Sequence, residues 1–423
     1  MRAVRSLSLV CFLTTTTTAM AQQRAPWTWG QLRQRFEQNN PTLQAGQLNI
    51  GESEAEEITA YLRPNPGLTL STDGTQLAPY HKVWEPFTGT QGVATLSYLH
   101  ERDHKRELRL KSAQEGTAIA TSSQADLERT LLFTLRSAFV GTLKAKAVLQ
   151  VAEDNLGYWD QVLKISRDRF QTGDLAQIDL DRLELQRVQY ESDVQTAEVN
   201  LRTAKIELLM LLDDRTPVEQ FDVTGPFDYS EQLQVLDDFR KMALDNRPDL
   251  RAAVQTGDQA KTNHKLAVAN GSTDPTLSAW VSYNPSFNNP YDHETVGASV
   301  SIPLRIFDRN QGEKLRMQID IDRTQRLLDA VQAQVFSDVD SAYAVVNSNL
   351  ILLRPYKAKY LQQAVHVRET VRFSYEHGGA SLLDFLSAEN DYRSVQLNYV
   401  NLVGSYLTAA AQLNMAVGRE VIQ

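Results

Sequence analysis

The chain has 423 residues, of which 42% are hydrophobic, 22% charged and 8% aromatic, a composition typical of a folded globular protein. This mixture excludes a disordered, collagen-like or disulfide-rich chain. With 43 Lys and Arg against 52 Asp and Glu, the formal net charge is −9, which argues against nucleic-acid binding because phosphate contacts need clustered basic residues. Composition alone therefore predicts an acidic, soluble protein of two or three domains.

Residues 1–21 are predicted to be a secretory signal peptide. A basic start and an apolar run from Leu7 to Leu13 lead to Ala19-Met20-Ala21, which has the A-x-A pattern of a cleavage site. The only cysteine, Cys11, lies inside this segment. A lipid anchor at Cys11 is the alternative, but it is preceded by Val10, where a lipid-attachment signal has a small residue.

The rest of the chain is a duplication. Two pairs of short motifs recur at nearly equal offsets of about 205 residues, one pair near the start and one near the end of each unit. The matching motifs are Asn40-Pro41-Thr42-Leu43 with Arg247-Pro248-Asp249-Leu250, and Gly173, Ala176 and Asp179 with Gly378, Ser381 and Asp384. The sequence therefore predicts two structural repeats, residues 22–212 and 239–423, and a linker, residues 213–238, that crosses outside the helices.

Each repeat begins with an interrupted helix and continues with two strands. Thr28 and Gln31 have the spacing of a capping box, and Pro41 interrupts the helix that follows. Apolar residues then alternate with Thr, Ser or Gly, which predicts a strand pair over about 66–100 and another over about 275–304. Each strand should have one apolar and one polar face.

A long helical hairpin is predicted to complete each repeat. Lys105 to Phe170 contains no proline, and Asp308 to Tyr375 contains only Pro355. As a single helix the first of these stretches would be about 100 Å long, which exceeds a globular domain. We expect the helices to end near Gly173 and Gly378, where returning helices begin. The returning helices repeat apolar residues at steps of three and four, which predicts coiled-coil packing.

Four short strands cannot form a stable sheet alone in a lipid bilayer, because open edges leave backbone groups without hydrogen bonds. Closure would need further copies of the chain, and two, three or four copies would supply about 8, 12 or 16 strands. The alternative is a soluble strand pair packed on a helix.

Three segments resemble the TolC-type outer membrane efflux family. They are the two tips, Arg169 to Leu180 and Phe373 to Phe385, and the run from Ser301 to Gly312. The resemblance extends over residues 27–418 and includes the duplication. The shorter run from Phe307 to Gly312 resembles the heavy-metal cation branch of the family.

This resemblance implies a mainly α fold with a small β part. It implies a homotrimer whose α-barrel continues into a 12-stranded β-barrel in outer membrane lipid, with opening controlled at the periplasmic helix tips. The expected partners are a periplasmic adaptor and an inner-membrane pump of the RND type, with an ABC-type pump as the alternative. No enzymatic activity, cofactor or resident metal is expected.

The resemblance also assigns roles at the tips. Asp384 would face the channel axis, so that three copies form a carboxylate ring that favours cations. The second acidic position of the family holds Ser387 here, which predicts a single ring. The alternative role for Asp384 is a capping box with Ser381. Asp179 matches the equivalent position in the first repeat and would hold neighbouring hairpins closed.

Tyr375 matches a family residue that hydrogen-bonds to an arginine in the closed state. Ala380 stands at that arginine position, so the contact is expected to be weaker or to use another donor, such as Arg372 or Arg169. The tip glycines are expected to adopt a positive φ after a helix end. The residues expected to shape the tip for adaptor docking are Gly173, Gly378, Arg169 and Arg372.

Two other functions compete with a channel. The segment His100-Glu101-Arg102-Asp103-His104 has the H-E-x-x-H pattern of zinc proteases, but it is densely charged and lies between a predicted strand and helix. A periplasmic adaptor would also have a signal peptide and a helical hairpin. An adaptor is expected to have one hairpin flanked by a lipoyl-like segment, however, whereas this sequence predicts two hairpins and two strand pairs.

Overall fold

The computed structural model describes residues 25–284 and 293–422. The predicted signal peptide, with Cys11 and its alternative lipid anchor, lies outside the described residues. The described chain is mainly helical with one small sheet, which confirms the predicted fold class.

The first half of the chain consists of two helices, two strands and two long helices. They are α1 (Trp29–Asn39), α2 (Pro41–Tyr61), β1 (Gly67–Asp73), β2 (Gln91–Leu99), α3 (Lys105–Thr172) and α4 (Gln177–Leu211). The backbone N–H of Thr28 donates to Gln31 Oε1 at 3.0 Å at the start of α1. Pro41 occupies the first turn of α2, where a backbone N–H would have no helical partner. The predicted interruption at Pro41 is confirmed.

The second half repeats this order with one difference. Its elements are α5 (Leu236–Asn246), α6 (Pro248–Asn270), β3 (Thr276–Tyr283), β4 (Glu294–Ser301), α7 (Gln311–Pro355), α8 (Leu361–Glu376) and α9 (Leu382–Val417). A π-helical turn, Tyr356–Tyr360, joins α7 to α8. The stretch from Asp308 to Tyr375 is therefore not one regular helix, because Pro355 has no N–H to donate and the helix widens directly after it.

The segment between the halves is irregular, as its Pro and Gly content predicts. It contains a short 3₁₀ turn, Val218–Gln220, and Val223 forms a parallel bridge with Trp27. Helix α5 begins at Leu236 with two acidic residues in its first turn, which suits a helix N-terminus. The predicted linker, residues 213–238, thus includes the start of α5. The division into repeats at these boundaries stays a prediction.

The four strands form one antiparallel sheet in the order β1-β2-β3-β4. The central pair, β2 and β3, joins the two halves of the chain, with Leu96 opposite Ala279 and Thr95 opposite Trp280. Along β3 the exposed positions are the apolar ones, and the intervening positions, Thr276, Ser278, Trp280 and Ser282, are less exposed. In β3 the predicted alternation therefore places the apolar residues Leu277, Ala279 and Val281 on the more exposed face, whereas β1 and β4 are exposed at nearly every position.

Buried apolar side chains form several clusters along the helices. The largest joins α7 and α9 through residues such as Val339 and Leu413, and a second surrounds Leu32 and Leu135 beside α1 and α3. A third lies close to the tips, where the two hairpins meet: Trp159, Leu163, Leu183, Tyr190, Leu382 and Phe385. Among the described helices, none combines the length and the apolar character required to cross a bilayer.

Candidate functional site at the helix tips

Both hairpins turn at a glycine with a left-handed backbone. Gly173 has φ +86° and its N–H donates to Phe170 O at 3.1 Å, while Gly378 has φ +76° and its N–H donates to Tyr375 O at 3.2 Å. A Cβ atom would meet no atom within 4 Å at either position. The turns therefore need glycine for its backbone conformation and not for space, because L-residues rarely adopt a positive φ.

Asp384 caps helix α9 and is exposed at the tip of the second hairpin. Its Oδ2 accepts hydrogen bonds from the backbone N–H of Ser381 at 3.1 Å and from the Ser381 hydroxyl at 2.7 Å. The Asp384 N–H in turn donates to Ser381 Oγ at 3.2 Å. These hydrogen bonds hold the pKa of Asp384 below its usual value, so the carboxylate stays ionised at neutral pH. The side chain of Asp384 therefore caps helix α9 and also carries an exposed negative charge.

The other predicted polar tip residues lie near Asp384 or at the first tip. Ser387 is exposed one turn further along α9. Asp179 is half-buried in the first turn of α4, and its Oδ1 lies 3.7 Å from Arg182 Nη1. Within the chain, Asp179 thus pairs with its own helix and makes no described ion pair with the second hairpin.

Tyr375 packs between the two hairpins through its ring. It stacks on Phe385 with ring centroids 5.0 Å apart, and the Arg169 guanidinium lies 5.6 Å from the Tyr375 ring centroid. Its hydroxyl is buried without a hydrogen-bond partner in the described part of the chain, and burial raises its pKa. Arg372 pairs instead with Glu369. Neither predicted arginine donates to the Tyr375 hydroxyl within one chain.

Sequence reasoning missed a buried carboxylate behind the tip. Glu389 is 4% exposed, and its Oε1 accepts a hydrogen bond from the Tyr158 hydroxyl at 2.9 Å. The signal was available, since Leu382, Phe385 and Glu389 follow the spacing of one buried helix face. A glutamate in a core stripe is unusual because burying a charge is costly without a partner.

The H-E-x-x-H segment does not adopt zinc-protease geometry. Asp103 and His104 have φ of +56° and +57°, and α3 begins only at Lys105, so the two histidines do not share a helical turn. Glu101 is paired with Arg109, which donates to both of its oxygens, at 2.5 and 2.9 Å. The segment therefore serves as a charged strand-to-helix junction.

Comparisons with known proteins agree with this architecture. Residues 240–419 match the family described as outer membrane efflux protein. The chain is 21% identical to the cobalt-zinc-cadmium resistance protein CzcC of Cupriavidus metallidurans over 382 residues, covering 90% of this chain and 87% of that protein. It is 23% identical to nodulation protein T of Rhizobium leguminosarum bv. trifolii over 372 residues, covering 84% of this chain and 77% of that protein.

Solved structures share the same fold. CusC superposes with a TM-score of 0.77 at 18% identity, covering 92% of both chains. The outer membrane protein VceC of Vibrio cholerae superposes with a TM-score of 0.76 at 16% identity, covering 92% of this chain and 96% of that chain.

Proposed function

We propose, from the premise that this chain belongs to the outer membrane efflux protein family, that its working form is a homotrimer and that its cargo is divalent metal cations. The protein is an outer membrane channel of a tripartite efflux system and extends into the periplasm, where it works with an adaptor and an inner-membrane pump. The alternative that the chain is itself the adaptor is set aside by these matches.

The edges of the sheet support closure by further copies of the chain, and the family resemblance implies that the number of copies is three. Among the residues that the structure describes, strands β1 and β4 each pair on one side only, and an unpaired edge in lipid leaves backbone groups unsatisfied. Pairing β1 of one copy with β4 of the next removes every open edge. The exposed apolar face fits the lipid side of such a wall, since Leu68, Leu70 and Val296 are each more than half exposed in one chain.

The single observation that carries the cation proposal is the ionised, exposed carboxylate of Asp384 at the tip of the second hairpin. Three copies around an axis would form a ring of negative charge at the narrow end of the channel. The name of the relative CzcC, a cobalt-zinc-cadmium resistance protein, supports the same class of cargo.

We propose a pump of the RND type, with an ABC-type pump as the alternative. Ser387 leaves this ring single, and Gly173, Gly378, Arg169 and Arg372 form the adaptor-docking surface.

The experiment compares two substitutions that separate charge from capping. Asp384→Asn removes the charge but keeps an oxygen that accepts from Ser381, whereas Ser381→Ala removes the capping hydroxyl and keeps the charge. In planar bilayers, Asp384→Asn should lower the ratio of cation to anion permeability toward unity, and Ser381→Ala should leave it unchanged. Trimer content on a native gel is the control for assembly. An unchanged ratio in Asp384→Asn would remove Asp384 from the channel lining.

A further inference from the structure

We propose that the buried carboxylate of Glu389 links the two hairpins through a hydrogen bond, called the tie below, whose strength depends on the protonation of Glu389. This tie sets how readily the channel opens. This inference rests on the proposed function, in which the helix tips control opening. It concerns a residue behind the tip and not the ring of Asp384.

The tie crosses between the two halves of the chain. Glu389 lies on α9, and the hydroxyl that donates to it belongs to Tyr158 on α3, with 2.9 Å between the oxygens. Glu389 lies five residues after Asp384 on the same helix, which places it about 7.5 Å further along the axis. Moving the tip of α9 away from α3 would therefore break this hydrogen bond.

A third helix joins the same cluster through an arginine held between two aromatic rings. The guanidinium of Arg368 on α8 lies 4.8 Å from the Tyr158 ring centroid and 4.0 Å from that of Tyr392. Arg368 Nη2 also pairs with Glu369 at 2.7 Å, while its Nε is buried without a hydrogen-bond partner among the described residues. Aromatic faces stabilise a cation most where water is excluded. Helices α3, α8 and α9 are thus connected by one charged cluster.

The charges around Glu389 come from every helix packed against it. The groups that act on Glu389 directly are Tyr158 on α3, Tyr190 on α4, and Arg368, Glu369 and Arg372 on α8. Next to them lie Tyr392 on α9, beside Arg368, and Arg393 on α9, which pairs with Asp193 of α4. Burial raises the pKa of Glu389, although the Tyr158 hydrogen bond and the two arginines of α8 oppose this change. Burial likewise raises the pKa of Tyr158, which therefore remains a donor.

The sign of the pH effect follows from these surroundings. In an open state that exposes Glu389 to water, its pKa would return to about 4.3. The closed state then binds a proton more tightly than the open state, so acid favours closure. Opening should become easier as the pH rises through the closed-state pKa of Glu389, because the buried carboxylate then becomes charged.

The test records open probability in planar bilayers between about pH 4.5 and 8, a range that brackets a raised glutamate pKa. The wild-type open probability should rise with pH, and the neutral, isosteric Glu389→Gln should flatten this dependence. Other side chains at the tip, such as that of His377, are the same in wild type and in Glu389→Gln. The measured quantity is therefore the difference between the two profiles. The matched control is Asp391→Asn, which neutralises an exposed carboxylate on the same helix and should keep the wild-type profile.

A second variant protects the test against misfolding of Glu389→Gln. Tyr158→Phe removes the donor that lowers the pKa of Glu389, so the midpoint of the profile should move to higher pH, and the open probability at neutral pH should rise about 10-fold. A purely structural role would move no midpoint. Identical profiles in wild type, Glu389→Gln and Tyr158→Phe overturn the tie.

Ion selectivity separates this inference from the proposed function. Glu389→Gln should leave the cation preference unchanged, whereas Asp384→Asn lowers it. If Asp384→Asn leaves the preference intact while Glu389→Gln still flattens the pH profile, the tie stands and the carboxylate ring fails. If the wild type forms no channel at any pH, both are wrong.

Discussion

The two hairpins of this protein have the same arrangement but differ in how regular their first helical arm is. Helix α3 runs for 68 residues without a break, and buried side chains occur along its length. The corresponding stretch of the second hairpin is divided into α7, a π-helical turn and α8, and α8 has no buried residue within the chain. Pro355 and the widened turn after it interrupt the regular hydrogen bonds of the second hairpin, whereas α3 has no such interruption. We therefore expect the first hairpin to be the more rigid of the two and to position the second.

The junction between α1 and α2 and the corresponding junction between α5 and α6 also differ between the two halves of the chain. Asn40 caps α2 by accepting from Thr42 N at 3.0 Å, and its Nδ2 donates to Leu211 O at 3.1 Å. Arg247 occupies the equivalent place before α6 but pairs with Asp249 and Asp338. A short neutral cap in the first half is thus replaced in the second by a buried arginine paired with two half-buried carboxylates.

The largest expected effect comes from Trp159→Ala, which tests whether the second hairpin depends on the first. Trp159 is fully buried, its Nε1 donates to Leu183 O at 3.0 Å, and its ring stacks on Phe385 of α9 at 6.0 Å. We expect a loss of about 3–5 kcal/mol in the free energy of unfolding. Amide exchange should accelerate in α9 as well as in α3.

Denaturant unfolding and hydrogen exchange in detergent measure both effects. The control is Phe373→Ala on α8, whose ring is 61% exposed and whose loss should change little. Faster exchange confined to α3 and α4 would contradict the view that the first hairpin positions the second.

A smaller loss, about 2–3 kcal/mol, is expected for Arg247→Ala, because it removes charge-assisted hydrogen bonds between a buried guanidinium and the half-buried Asp249 and Asp338. Burial raises the pKa of Asp249, but hydrogen bonds from Arg247 outweigh this and hold it below its ordinary value. This contribution is therefore present above the unfolded pKa of about 3.9 and is lost as the pH falls through the folded pKa. Denaturant unfolding at two pH values measures it, with the exposed Arg251→Ala as control.

The smallest effect is expected for Asn40→Ala, which removes a helix cap and should cost about 1 kcal/mol. The neighbouring Asn39→Ala, at an exposed position, should change stability by less than about 0.5 kcal/mol. The same unfolding experiment compares them. If Asn40→Ala destabilises the protein as much as Arg247→Ala, the two junctions are energetically equivalent and the contrast between the halves is wrong.

The local elements were predictable from the sequence because each has a short-range cause. Pro41 interrupts a helix by its missing N–H, and alternating apolar and polar residues define strands within a few positions of the structural bounds. Gly173 and Gly378 mark the turns because the backbone there requires a positive φ. At the tip, the capping box of Ser381 and Asp384 follows from their spacing of three residues.

Only the tertiary structure decided which distant residues meet. The pairing of β2 with β3 across the two halves, the neighbouring positions of Tyr158 and Glu389, and the Arg169 contact with the Tyr375 ring join positions far apart in the chain. A helical pattern indicates which face is buried but not which helix covers it. The sequence therefore determined the two hairpins and their turns, whereas packing between the hairpins determined that Glu389 is buried and that the Tyr375 hydroxyl lacks the predicted arginine donor within the chain.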